Sequence, residues 1–417
     1  MANNNKHTGP NVPALRFPEF SGEWEKFRVS DFIEFFPTNS LSWDQLQYRG
    51  AGLLNLHYGM IHNGLPVQVD ASKNALPSIK EDYYPKKYTL CKEGDIAFAD
   101  ASEDTSDVGK AIEFNNCAGK SIVCGLHTIH GRDRLGLTSI GFKGYLFSSK
   151  VYHDQIKSIA QGTKVFSIKA SNFDEVILGL PKIEEQKKIS SLLMAIDDRI
   201  LTQSKIIEEL TALRSALHQG IMSTGLEDGS WRMQTLAEVL SERTELNNEG
   251  HAVHSVSVSK GIVNQIEYLG RSFAAKDTSR YHVAYPGDVV YTKSPTGEFP
   301  YGIVKQSQIP IKAALSPLYG VYVPITQEIG YIIHNHFLSA KNALNYLHPL
   351  IQKGAKNTIN ITNQRFLQNS MPLPSSNSVA RLYFKTIKTL SDKIDLEISI
   401  LHQLQIQKRK LLNDMFI

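Results

Sequence analysis

From Ile189 onward, apolar residues recur in steps that alternate between three and four. The slots are Ile189, Leu193, Ile196, Ile200, Gln203, Ile207, Leu210, Arg214, Leu217 and Ile221, and eight of the ten are apolar. This is the seam of a coiled coil, and it predicts one long helix over 184–222. Pro181 closes the segment before it, and Glu184 and Glu185 place negative charge where the helix dipole favours it. A second seam lies 194 residues further on: Tyr383, Ile387, Leu390, Ile394, Glu397, Leu401, Leu404, Lys408, Leu411 and Met415. It predicts a C-terminal helix over 377–417. The polar exceptions occupy the same two slots in both, Gln203 with Glu397 and Arg214 with Lys408. Antiparallel packing about a pseudo-twofold axis would set Arg214 against Glu397 and Gln203 against Lys408, with apolar layers between. Buried polar layers of this kind fix register at some cost in stability. A helix of roughly 35 residues spans about 50 Å, enough to act as a spacer.

The rest of the chain is also written twice. Each half opens on Gly-x-Trp (Gly22 to Trp24, Gly229 to Trp231) and continues to a Gly-Asp turn entering an apolar strand, at Gly94-Asp95 and at Gly287-Asp288. Tyr145-Leu146 matches Phe337-Leu338, Gly162-x-Lys164 matches Gly354-x-Lys356, and Leu180-Pro181 matches Leu373-Pro374. A period near 190 residues is a domain duplication rather than a solenoid of short repeats. Within the halves, 121–128 and 313–323 read as buried strands, and 148–159 and 339–351 as helices. The expected fold is α+β: two similar globular heads, 15–183 and 223–376, each followed by a long helix, the helices forming an antiparallel coiled coil. Residues 1–14 are polar and are expected to be a disordered leader.

Composition narrows the function classes. A chain of 417 residues that is 41% hydrophobic and 21% charged can bury two or three cores. Its net charge of +4 is compatible with a nucleic-acid partner. Three cysteines, Cys91, Cys117 and Cys124, are too few for a disulfide framework and suit a reducing cytoplasm. No apolar run reaches the roughly 18 residues of a membrane span. Catalytic motifs are missing: there is no Asn/Asp-Pro-Pro-Tyr/Phe, and Gly109-Lys110 lacks the earlier glycine and the hydroxyl of a phosphate loop. Cys117, Cys124, His127 and His130 do not have the spacing of a zinc finger, and the positions matching the last three are Ser316, Tyr319 and Tyr322. No metal and no catalytic residue is therefore expected.

The duplicated architecture, the opening Leu15-Arg16-Phe17-Pro18-Glu19-Phe20 into Gly22-Glu23-Trp24, and Leu180-Pro181 followed by Glu184-Glu185-Gln186-Lys187-Lys188-Ile189 resemble the specificity subunits of type I restriction-modification enzymes. The second half departs from that text, since Ser375-Ser376-Asn377-Ser378 follows Pro374. The resemblance implies a non-catalytic subunit. Each head would read one half of a split double-stranded DNA target, and the helix pair would set the unread gap and dock two adenine-N6 methyltransferase subunits. S-adenosylmethionine would sit on those subunits, and ATP and magnesium on restriction translocase/nuclease subunits, with no cofactor on this chain. A type IIB-like specificity subunit and a two-headed scaffold unrelated to DNA are the alternatives.

Base and phosphate contacts need polar side chains on loops. Two loops recur in both halves with different residues, as two specificities on one scaffold require. One follows the Gly-Asp strand: Ser102, Asp104 and Lys110, against Lys293, Ser294, Thr296 and Tyr301. The other carries Gly-x-Lys: Gln161, Thr163 and Lys164, against Lys353, Lys356 and Asn357. Arg132 and Arg134 are weaker candidates.

Overall fold

The structure, a computed structural model, describes residues 11–48, 52–105, 107–353 and 359–417. They divide into two units, Met1–Lys205 with Ser399–Ile417, and Ile206–Ile398. Each unit holds one head and a stretch of both long helices.

In the first unit, Trp24 is buried and leads into strand Glu25–Arg28, which pairs antiparallel with Ile177–Leu180. Thus the head begins and ends side by side, and the second of these strands runs straight into the long helix. A five-stranded sheet follows in the order Ile33–Phe36, Thr128–Asp133, Ile96–Ala99, Ala111–Asn116, Gln68–Asp70. A second sheet of four short strands, Ile122–Cys124, Leu54–Leu56, Ser78–Ile79 and Leu46–Gln47, completes the head.

The second unit repeats the scheme. Trp231–Thr235 pairs antiparallel with Ser370–Pro374. Its main sheet runs Leu240–Glu242, Gly320–Pro324, Val289–Tyr291, Val304–Gln306. That is the order of the first four strands of the five-stranded sheet. The two expected strands over 121–128 and 313–323 are each broken by a turn, leaving Ile122–Cys124 and Thr128–Asp133, and Ala313–Leu315 and Gly320–Pro324. In the first head the break includes His127, whose backbone takes a left-handed φ of 54°, which no strand accommodates. The expected head helices start from capping serines: Ser149 accepts from the Tyr152 amide before Lys150–Ile159, and Ser339 from the Asn342 amide before Ala340–Leu347.

The two long helices run Ile183–Asp228 and Asn377–Asp414. The first continues past the expected end near Met222 because its late glycines do not stop it. At Gly225 a Cβ would come within 2.1 Å of the buried Trp231 indole, so the helix needs a glycine there to let the ring close against it. Each head core is completed by residues of the long helices and, in the first unit, by the residues that follow the second helix. Phe98, Tyr145, Phe147 and Tyr152 pack with Ile189, Leu193, Met415 and Phe416 in the first unit. Tyr291, Tyr322, Phe337 and Phe366 pack with Met222, Ala380, Tyr383 and Ile387 in the second. Burying these aromatic rings stabilises each head by roughly 2–3 kcal/mol per side chain, which ties head and helices into one cooperative body.

Within each unit the helices pack antiparallel, as expected, but the register differs. Arg214 donates to Ser391 Oγ at 3.4 Å, where Glu397 was expected. Lys408 pairs with Asp197 at 2.6 Å, where Gln203 was expected. Both partners lie six residues toward the N-terminus of those proposed, close to one heptad. An apolar seam reads almost the same after a one-heptad slip, so it cannot choose between the two. The heads supply the choice: Tyr145 donates to Asp197 at 2.9 Å and Tyr331 to Ser391 at 2.9 Å. The offset of 194 residues that relates the two seams also relates Asp197 to Ser391 and Arg214 to Lys408. Glu397 and Gln203 are both buried, and Glu397 forms an ion pair with Lys393 of its own helix. A double-mutant cycle between Asp197→Asn and Lys408→Met should therefore give a coupling of about 1 kcal/mol, as for a partly exposed pair. A coupling near zero would show that Asp197 and Lys408 do not fix this register.

Candidate nucleic-acid interface

The Gly-Asp turn that marks both halves is a buried anchor. Asp95 accepts from Arg132 Nε and Nη2, both at 2.7 Å, from the Lys92 amide at 2.8 Å, and contacts His130 Nε2 at 2.8 Å. Burial alone would raise its pKa, but the hydrogen bonds from Arg132 and His130 outweigh this and hold it below the usual carboxylate range. In the second head Asp288 accepts from Arg243 Nε at 2.7 Å, from Arg243 Nη2 at 3.1 Å and from the Tyr285 amide at 2.8 Å. The arginine comes from the strand Thr128–Asp133 in one head and from just after Leu240–Glu242 in the other. Arg132 is thus committed to the fold, and Arg134 donates to the Asp31 carbonyl at 2.8 Å.

Downstream of this anchor the first head brings its two candidate loops together. Strand Ala101–Ser102 pairs with Phe166–Ser167, and the Gln161 and Ser167 backbones bridge at 3.1 and 2.8 Å. Gly162 takes φ +140°, and a Cβ there would meet the Val165 carbonyl at 1.9 Å, so this tight turn requires glycine. The turn holds Gln161, Thr163 and Lys164 exposed beside Ser102 and the exposed Asp104. Ser102 Oγ accepts from the Asp104 amide at 3.1 Å. Lys110 is turned inward and donates to the His62 carbonyl at 3.0 Å, which makes it a brace of the loop.

In the second head, Ser294 and Thr296 are exposed on a turn closed by backbone bonds between Thr296 and Phe299 at 3.1 and 2.9 Å, with Phe299 buried beneath. Lys293 is half-buried, and burial pulls its pKa below the usual lysine value. Tyr301 packs against the core, and its carbonyl accepts from Tyr291 at 2.8 Å. Strand Gln352–Lys353 pairs with Ile359–Asn360. Lys356 and Asn357 lie outside the described residues, as does the side chain of Lys353.

Two further surfaces escaped the sequence reading. In the first head Tyr83, Tyr84 and Tyr88 are 45%, 42% and 51% exposed, with Lys86 and Lys87 exposed between them. In the second head Tyr268 and Phe273 are exposed near Arg271, Lys276 and Arg280, and the Arg271 guanidinium lies 4.5 Å over the Phe273 ring. Both segments precede the Gly-Asp turn. Aromatic faces interleaved with cations suit stacking and phosphate contact. The signal is present in Tyr83-Tyr84-Pro85-Lys86-Lys87-Tyr88, before the Gly-Asp turn, whereas the loops that recur in both halves come after it. The four-residue metal set considered from the sequence is not assembled: His127 is surface-exposed and contacts Asp100 at 3.0 Å, while Cys124 and His130 meet Cys91 instead. Among the described residues, no helix is long and apolar enough to cross a membrane.

No protein-family model matches the chain. It is 24% identical over 175 residues to the Type I restriction enzyme EcoKI specificity subunit of Escherichia coli strain K12, a match spanning 37% of this chain and 37% of that relative. In structure it resembles the type I restriction-modification system S subunit from M. genitalium, with a TM-score of 0.58 and 15% identity over 97% of this chain and 99% of that one. The HsdS subunit from Thermoanaerobacter tengcongensis aligns with a TM-score of 0.41 and 16% identity over 93% of this chain and 95% of that one. The resemblance read from the sequence is borne out, and the two-headed α+β fold with paired long helices is that of the solved M. genitalium subunit.

Proposed function

We propose that this chain is the specificity subunit of a type I restriction-modification system and that it reads DNA without catalysing a reaction. The observation that carries the proposal is one head fold built twice in a chain whose fold matches a known S subunit along nearly its whole length. In this reading each head contacts one half of a split target. The main sheets share a strand order while the exposed residues differ, Gln161, Thr163 and Lys164 on one head and Ser294 and Thr296 on the other. A common scaffold with different exposed donors and acceptors supports two unlike half-sites at one fixed separation. The aromatic and cationic segments around Tyr83–Tyr88 and Tyr268–Arg280 add phosphate contacts, which position the protein without specifying bases. The paired helices set the unread gap and dock two adenine-N6 methyltransferase subunits. Those subunits carry S-adenosylmethionine, and translocase/nuclease subunits that use ATP and magnesium complete restriction.

The test is co-expression of the full chain with its cognate methyltransferase subunit, followed by mapping of methylated adenines in the host DNA. The expected result is a bipartite motif with an invariant gap and two different halves. A continuous motif, or no methylation beyond that of the methyltransferase alone, would overturn the reading.

A further inference from the structure

We propose that Cys91, Cys124 and His130 form a buried site in the first head for one thiophilic divalent cation, zinc by its chemistry. Among the described residues these three bring one ligand atom each to within 4.8 Å of one another, and all three are buried. The two sulfur atoms lie 3.6 Å apart. Two thiolates bound to one tetrahedral zinc at about 2.3 Å each are separated by roughly 3.8 Å, so the pair already has the spacing of a metal-bound pair.

The histidine supplies the second, independent observation. His130 is 0% exposed, and its Nδ1 has no hydrogen-bond partner. Buried polar atoms are rarely left so, because the lost hydration is costly. Its other nitrogen, Nε2, meets the Asp95 carboxylate at 2.8 Å. A carboxylate on one ring nitrogen fixes the tautomer and leaves a lone pair on the other, the usual arrangement for a metal-binding histidine. Asp95 is itself locked by Arg132, so the ring is held in place before any ion arrives.

Charge and topology agree. Two thiolates balance a divalent cation, so the loaded site carries no net buried charge, which avoids the main penalty of burying ions. Cys124 ends a strand of the four-stranded sheet, and His130 lies in the five-stranded sheet. Cys91 is fixed by its amide to the Ile122 carbonyl at 2.8 Å and leads into the Gly-Asp turn. One ion would therefore cross-link both sheets at the anchor that positions the exposed loop beyond Ala99. The second head has Ser316 and Tyr322 at the positions of Cys124 and His130, so the stoichiometry is one ion per chain. On binding, each thiol gives up its proton to solvent and its sulfur donates an electron pair to the metal; nothing is oxidised.

The full chain, stripped with chelator under reducing conditions, is titrated with cobalt(II) and then with zinc. We expect one equivalent of cobalt to produce thiolate-to-metal charge-transfer absorption, zinc to displace it, and zinc to raise the melting temperature. Cys91→Ser and Cys124→Ser should each abolish stoichiometric binding, and His130→Gln should weaken it by about tenfold or more. Absence of the cobalt band in the wild-type chain overturns the proposal whether or not any variant folds. So does retention of full binding in Cys124→Ser, or isolation of the native chain with Cys91 and Cys124 oxidised to a disulfide.

Discussion

Replacing Glu113 with alanine is expected to destabilise the first unit by about 3–5 kcal/mol, the range for breaking a buried ion pair from one side. Glu113 is fully buried and accepts from the Gly141 amide at 2.9 Å, the Gly144 amide at 2.8 Å and Gln68 Nε2 at 3.4 Å. Lys143, also buried, lies 3.2 Å from it. Among the described residues, truncation leaves that ammonium with Thr138 Oγ1 as its partner, at 3.0 Å, and orphans two amides near the start of helix Lys143–Leu146. The measured quantity is the denaturant midpoint of the full chain, with hydrogen exchange of peptides from each unit to show which one opens. Glu113→Leu combined with Lys143→Met should recover much of the loss, because it removes both charges together. A loss under about 1 kcal/mol for the alanine variant would show that the pair does not hold the loop onto the sheet.

Acidification should act on the second unit. His218 and His336 are 4% and 8% exposed, with ring centroids 5.7 Å apart. Burial, followed by the nearby Arg214, pulls the His218 pKa down to about 4. Burial, followed by His218, pulls that of His336 down to about 3. Both fold as neutral imidazoles, whereas the unfolded chain takes up protons below about pH 6.5. Stability is therefore full above pH 6.5 and falls as pH drops toward the folded values. At pH 5 each histidine costs about 2 kcal/mol relative to neutral pH, the pair about 4 kcal/mol, and His334, which burial followed by Lys305 and Arg214 also pulls down to about 3, costs about 2 kcal/mol more. Burial lowers His57 and His153 in the first unit as well, less strongly. The depressed Asp95 carboxylate withdraws its contribution only below the usual carboxylate range. Unit-resolved hydrogen exchange at pH 7 and pH 5 tests this, and His336→Phe should flatten the response. Equal protection of second-unit peptides at both pH values would refute it.

Much of the fold was legible because the chain states it twice. Gly94-Asp95 and Gly287-Asp288 were matched from the sequence, and each proves to be a buried turn held by an arginine. Both long helices were visible from their seams. What was not visible is what depends on a third element. Considering the helices alone sets Arg214 against Glu397 and Lys408 against Gln203, whereas Tyr331 and Tyr145 reach from the heads and select the register. The candidate loops show the same limit. Gln161, Thr163 and Lys164 stay exposed, while Lys110 and Tyr301, no less polar on paper, are drawn inward by a carbonyl and by a core. Cys91 stands 33 residues from Cys124 and outside the sequence set Cys117, Cys124, His127 and His130, and the fold closes that distance through the bond from the Cys91 amide to the Ile122 carbonyl.

The division of the chain also orders its assembly during translation. The second unit is one uninterrupted stretch, Ile206–Ile398, whereas the first needs Ser399–Ile417 to be whole. Met415 and Phe416 sit in the core built around Trp24, and the Gly179 amide donates to the Ile417 carbonyl at 2.8 Å. The half synthesised first therefore cannot close until residues 399–417 are available to it, while the half synthesised second does not need them. A released chain truncated after residue 398 would display a complete downstream unit and an upstream one with its apolar interior still uncovered. Loss of a few C-terminal residues would injure the distant N-terminal head and spare the neighbouring one.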